Sequence, residues 1–403
     1  KYVTPELLTG LKAGAAFYIN GDTGLTDWDS IATNKPAQGM FTGSAYPGTT
    51  AAPTGTGGDT ATLLGQAYLE YKSKMIDVTA GRQILNTPLT KIKWSLMPNF
   101  YEAGVLTVKP MKGLSVTALH INAMSYGSRS ATDFMLIGEG TGTAGVAKGT
   151  TGGKTVQQGG TREQAKFINL ATGAAVAATD GRTAVNVTYK MGKNLKVSIW
   201  DYIAHDISNT IYADVNYKMP VMKGTKLALS AQYLNQSEEG AKLAGTMDFS
   251  MYGAKAKVGN KKWSAYIAYN SSDDTNNPTD FSGFHNAFGA DPAYTSSLFS
   301  RNAYREDVNA YKIGGHYTIM KGLKVMVSHA DYGKSKTSAV VVSGNPAIAA
   351  TNDATETDII LAYKPTKAWT LKVFNAIRKS EYSDGTTKGR EMNHFRAVAA
   401  YNF

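Results

Sequence analysis

The chain has 403 residues, with 41 Gly, 23 Tyr, 12 Pro and no Cys, and Lys plus Arg exceed Asp plus Glu by 42 to 31, a formal charge of +11. Disulfide frameworks, thiolate metal sites and cysteine nucleophiles are thereby excluded. No apolar run approaches the roughly 18 residues of a membrane-spanning helix. The 42% hydrophobic content argues against disorder.

Strict two-residue alternation dominates the chain and predicts paired strands joined by short turns. In chain order the pairs are Ala67–Lys72 with Met75–Arg82, Gly104–Val108 with Leu114–Ala123, and Thr183–Tyr189 with Leu195–Trp200. Thr210–Tyr217 with Leu227–Leu234, Met247–Ala256 with Trp263–Tyr269, Tyr311–Tyr317 with Leu323–Ser328, and Asp358–Tyr363 with Trp369–Ile377 follow. The turns reuse one theme, an aromatic or apolar strand end followed by Lys and then Gly, Pro or Lys, as in Lys109-Pro110-Met111-Lys112-Gly113 and Tyr363-Lys364-Pro365-Thr366-Lys367. Long polar connections alternate with these short turns: Asn20–Thr60, Tyr126–Gly181, Asn270–Asp307 and Tyr332–Thr357.

Alternating short and long connections around amphipathic strands predict an all-β fold. The expectation is a single transmembrane antiparallel β-barrel over residues 1–403, with short periplasmic turns and long extracellular loops. The count is about 16 strands, an even number; an alternative of 18 adds a hairpin from Ala131–Ile137 and Ala165–Leu170. Hydrocarbon offers the backbone no hydrogen-bond partners, so the strands must close on one another. One side-chain parity then meets lipid and the other water, which reconciles a negative mean hydropathy with a membrane protein. Tyr at strand ends suits the interfacial girdle.

Lys372 and Arg378 share a parity opposite to Leu371, Val373 and Ile377. A cation on the lipid face near the midplane costs about 2–4 kcal/mol, so both are assigned to the lumen. Arg82 is assigned there by the same reasoning, and His120 and Asn122 because Leu119 and Ile121 take the other parity. The wall of such a barrel encloses a channel, so constriction must come from loops. The candidates are 126–181, carrying Arg129, Asp133 and Arg162, and 270–307, carrying Asp291, Arg301, Arg305 and Asp307. Acidic loop against basic wall would orient zwitterions. The six His are scattered without metal-ligand spacing, so no metal and no cofactor are expected.

Several segments, in this order, resemble the OprD-type specific porins of Gram-negative outer membranes. They are Gly81-Arg82-Gln83-Ile84-Leu85-Asn86-Thr87-Pro88, Ser95–Gly104, Gly113–His120, Asp206-Ile207, Gly240 with Ala244-Gly245, Asp248, and Ser300–Asp307. The terminal strand Phe395–Phe403 is similar to the signature that outer-membrane proteins present to the barrel-assembly machinery. The resemblance implies passive diffusion of small hydrophilic solutes and no enzymatic step. It also implies a luminal ladder of basic side chains guiding carboxylate-bearing solutes. Lys372 matches one rung, whereas Phe374 and Asn122 stand where the family carries Arg. Expected partners are those solutes, outer-membrane lipids with lipopolysaccharide, the assembly machinery and a homotrimer, with no nucleic acid. A general porin without anion preference is the runner-up. A plugged structural or adhesive barrel and an outer-membrane barrel hydrolase are the competing classes, although no His lies near a Gly-Xaa-Ser-Xaa-Gly-like segment.

Overall fold

A computed structural model describes residues 1–20, 61–91, 97–125, 167–169, 179–243, 245–273, 283–285, 287–290, 292–298, 300, 302–334, 351–382 and 390–402. Among them the elements are β1 (Tyr2–Val3), β2 (Leu11–Asn20), β3 (Ala61–Lys72), β4 (Ile76–Gln83), β5 (Phe100–Met111), β6 (Leu114–Ser125), β7 (Ile168–Asn169), β8 (Arg182–Met191) and β9 (Leu195–Ala204). They continue with β10 (Ser208–Met222), β11 (Thr225–Glu238), β12 (Asp248–Gly259), β13 (Trp263–Ser272), β14 (Asn309–Met320), β15 (Leu323–Tyr332), β16 (Thr351–Tyr363), β17 (Trp369–Tyr382) and β18 (Arg390–Tyr401). One 3-10 turn, Asn302–Tyr304, is the only helical element among the described residues.

Sixteen of these strands have 8 to 15 residues, and β1 and β7 are two-residue stubs. The sixteen pair antiparallel in chain order from β2 to β18, with β1 folding back on β2. All seven hairpins read from the alternation are present, and Leu11–Asn20 supplies a further long strand. Of the proposed additional hairpin, Ile168–Asn169 forms only a stub against Ala123–Met124. Ala131–Ile137 lies outside the described residues.

The turn chemistry is visible at Gly113, between β5 and β6. Its φ of +88° is one that only glycine adopts freely, and a Cβ there would strike the Lys190 carbonyl of β8. That close approach lets the Lys190 N–H donate to the Gly113 carbonyl at 2.8 Å.

One face of the sheet is exposed and apolar, with Val78, Leu106, Val187, Ile199, Ile267, Ile313, Val327 and Leu361 all outward. Aromatic residues bracket this band. Tyr189, Tyr217, Trp263, Tyr317, Trp369 and Tyr401 sit at the short-turn end, and Tyr233, Tyr252, Tyr269 and Tyr311 towards the other. The Tyr269 and Tyr311 rings meet at 5.0 Å. The opposite face curls around an inner segment, the described residues between 283 and 308. Strands as far apart as β5 and β17 bond to this one segment, and only a sheet wrapped round it brings them together.

Candidate functional site: the lumen and its inward loop

The described residues of the connection from β13 to β14, from 283 onward, are anchored to the inner wall at several points. Gln236 of β11 clasps it first: its Oε1 accepts the His285 backbone N–H at 2.6 Å, and its Nε2 donates to the His285 carbonyl at 2.9 Å. Tyr101 and Asn99 donate to the Phe288 and Gly289 carbonyls at 2.8 and 3.2 Å. Asn270 Oδ1 accepts from the Thr295 N–H and hydroxyl, both at 3.0 Å, and the Tyr332 hydroxyl donates to the Thr295 carbonyl at 2.7 Å.

The loop tip meets four buried ionisable side chains. Glu356 accepts the Ser300 N–H at 2.6 Å, and Asp358 accepts the Leu298 N–H at 3.3 Å. Lys312 Nζ donates to the Ser296 carbonyl and the Ser297 hydroxyl, both at 2.9 Å, and lies 3.7 Å from Asp358. Arg378 Nε donates to Ser300 Oγ at 2.8 Å. Most buried polar groups find partners, and here wall and loop supply many of each other's, although Asp358 Oδ1 and Ser296 Oγ have no hydrogen-bond partner among the described residues. A second inward segment, after β4, buries Leu85 and Leu89 and joins the first where the Ala290 N–H donates to the Leu89 carbonyl at 2.8 Å. Burial, reinforced by the charge of Arg182, holds the His285 imidazole down to about 3, so it is neutral in the loop.

Beyond the carboxylates under the loop tip, the inner face of β12 to β18 carries several basic side chains among neutral ones. Lys255 and Lys257 share the parity of buried Met251 and Gly253, and Lys255 Nζ lies 4.2 Å from the Tyr266 ring centroid. The registers place Thr318, Lys324, Ala362, Lys372 and Val398 in one row and His316, Met326, Ile360, Phe374 and Arg396 in the next. Arg396 covers the Phe374 ring at 5.2 Å, and its Nη2 lies 3.4 Å from His394 Nε2. Across the lumen, β8 to β11 present a hydrogen-bonded set of Asn186, Thr188, Ser198, Asn216 and Ser230, together with the carboxylate of Asp214.

Lys372 and Arg378 lie on the inner parity, but Arg378 is buried under the loop tip. Three assignments are corrected. Arg82 shares the outward parity of Val78, Ala80 and Ile84; it pairs with Glu102 at 3.4 Å and stacks on Phe167 at 4.4 Å. Those partners offset the cost of an outward charge. His120 and Asn122 also face outward with Ala118, because Leu119 and Ile121 pack inward in one apolar cluster with Leu89 and Phe288. Arg305 and Asp307 lie on the returning stem: the Arg305 carbonyl accepts from Ser272 Oγ at 2.5 Å, and the Asp307 N–H donates to the Asp273 carbonyl at 3.0 Å. Arg129, Asp133, Arg162, Asp291 and Arg301 lie outside the described residues, as does most of 126–181. Sequence reasoning passed over Gln236, Lys312, Glu356, Asp358, His394 and Arg396. The parity argument applied to Lys372 reaches Lys312, Asp358 and Arg396 as well, since each alternates with outward Ile313, Ile359 and Phe395.

The sequence matches the model of a family described as outer membrane porin, OprD family, over residues 40–403. No curated protein matches it. Among solved structures it is similar to Pseudomonas aeruginosa OpdK with vanillate, at 14% identity and TM-score 0.68, covering 97% of this chain and 86% of that one. It is also similar to P. aeruginosa OccK9 (OpdG), at 15% identity and TM-score 0.68, covering 98% and 88%.

Proposed function

The chain belongs to the OprD family of outer-membrane porins, and from that premise we propose that the small solutes it favours carry a carboxylate, zwitterions included. As a family member it is an outer-membrane channel of a Gram-negative bacterium, and its transport is passive. The single observation supporting the preference is the set of cations on the inner face, Lys257 on β12, Lys324 on β15, Lys372 on β17 and Arg396 on β18, facing a wall whose charged acceptor is Asp214. Fixed charges replace the hydration an ion sheds on entering a narrow pore, so a row of cations lowers the barrier for an anionic group. Asp214 on the other wall would hold the ammonium end of a zwitterion. The similar OpdK structure is one with vanillate, an aromatic carboxylate. We also read the outer aromatic band as facing lipid and lipopolysaccharide, and the terminal strand as the segment the assembly machinery binds.

The experiment is the reversal potential of single channels across a planar bilayer in a salt gradient. Anion preference, reduced in Lys372→Glu and Arg396→Glu, is the expected result. An unselective or cation-preferring pore would leave a general porin without a carboxylate path.

A further inference from the structure

Two of the six histidines, far apart in sequence, meet on the outside of the barrel. His120 on β6, Thr183 on β8 and His205 in the tight turn after β9 share the outward face with exposed Ala118, Val185 and Ile199, at the end of the wall remote from the Lys-rich turns. His120 Nδ1 and His205 Nε2 each lie 2.9 Å from Thr183 Oγ1, and the ring centroids are 6.4 Å apart. A hydroxyl has one proton, so it donates to one of these nitrogens at most, and the other ring must supply its own N–H. Two imidazole nitrogens thus aim at one point from two separate elements, with only a hydroxyl between them.

The surroundings are acidic although the chain is strongly basic. Asp180 precedes Gly181, where an added Cβ would lie 3.4 Å from His120 Nε2; Asp206 follows His205; Asp201 lies on the same outward face. That local charge favours a cation over a phosphate. Neutral imidazole suits zinc, copper and nickel.

We propose that His120 and His205 form a two-imidazole site for a divalent transition-metal ion at the outer rim, with the Thr183 hydroxyl beside it and water filling the remaining positions. Binding requires the Thr183 hydroxyl to swing aside and both nitrogens to lie within about 2.1 Å of a common ion. Each neutral ring presents its lone pair to the metal and carries its proton on the other nitrogen, so no net proton is lost. The site is outside the lumen, so metal binding leaves permeation unchanged.

The test uses the whole protein in detergent micelles, without a polyhistidine tag, and Cu(II) as the probe with Zn(II) as competitor. Electron paramagnetic resonance is expected to report one ion coupled to two nitrogens in the wild type and to one in His120→Ala or His205→Ala. Affinity should fall by more than the roughly tenfold that loss of an outer-shell partner costs. His329→Ala, the other outward histidine, should bind like the wild type, and unchanged single-channel conductance identifies a folded barrel in every variant. Single-nitrogen coupling in the wild type, or undiminished binding in the His120→Ala/His205→Ala double variant, would overturn the assignment.

Discussion

Gln236 and His285 form a two-way amide clasp in which one side chain imitates a neighbouring strand. The Gln236 carbonyl oxygen takes the His285 N–H and its amide nitrogen returns a hydrogen bond to the His285 carbonyl, with a further donation to Thr210 Oγ1 at 2.8 Å. The loop backbone thereby gains ladder-type pairing without being part of the sheet. Gln236→Leu takes away the acceptor of the buried His285 N–H, at about 1–3 kcal/mol, while the His285 carbonyl keeps the Ala287 N–H at 3.0 Å. The expected outcome is a loop that detaches at its first anchor and single-channel records with larger, noisier current. Quiet records of wild-type amplitude would show that the clasp does not hold the constriction.

His285 also makes the loop sensitive to acid. Its folded value is pushed down to about 3 by burial, with Arg182 adding to the effect, whereas the unfolded chain titrates near 6.5. Between those values the unfolded state binds more protons, so stability is fully present above about 6.5 and falls as pH drops, by up to about 1.4 kcal/mol per pH unit. Asp273, just beyond β13, works in the opposite sense, since burial and the charge of Asp248 raise its carboxyl. His285→Gln should lose less of its thermal midpoint than the wild type between pH 7 and pH 4. Parallel losses would remove His285 as the source.

The barrel was legible because a period of two, broken by Lys- and Gly-bearing turns, has few other physical readings. The lumen was legible only in part. On β17 the outward residues are Leu371 and Val373, so polarity and direction agree and Lys372 reads as luminal. On β6 the relation inverts. Leu119 and Ile121 face inward because Leu89 and Phe288 fill the lumen beside them, and the polar His120 and Asn122 are left outside. No local pattern announces that a loop more than 150 residues downstream will cover a strand. For the same reason Arg378 reads as a pore residue, although its guanidinium serves Ser300.

Cysteine labelling separates the two faces, because the chain contains no Cys of its own. Lys372→Cys is expected to react with a water-soluble cationic methanethiosulfonate added to an open channel, with a stepwise change in current. Asn122→Cys, on the outward parity, should leave the current unchanged after the same treatment. A current change on labelling at 122 would return that residue to the lumen.

The turn glycines provide the last contrast. Gly113 and Gly224 both have positive φ, +88° and +77°. An L side chain in that region costs roughly 1–2 kcal/mol at either position. Around Gly224 nothing lies within 4 Å of an added Cβ, so Gly224→Ala carries that conformational cost alone. At Gly113 the methyl would also strike the Lys190 carbonyl, on the strand that pairs with β6. Strands β6 and β8 are joined by a long connection, so their register is not set by a tight hairpin and depends on contacts such as the Lys190–Gly113 hydrogen bond. Gly113→Ala should therefore lower the thermal midpoint of the folded barrel in detergent clearly more than Gly224→Ala. It should also slow refolding into micelles, because the clash falls on the long-range pairing. Equal effects of the two substitutions would mean that backbone conformation alone, and not the approach of β8, fixes Gly113.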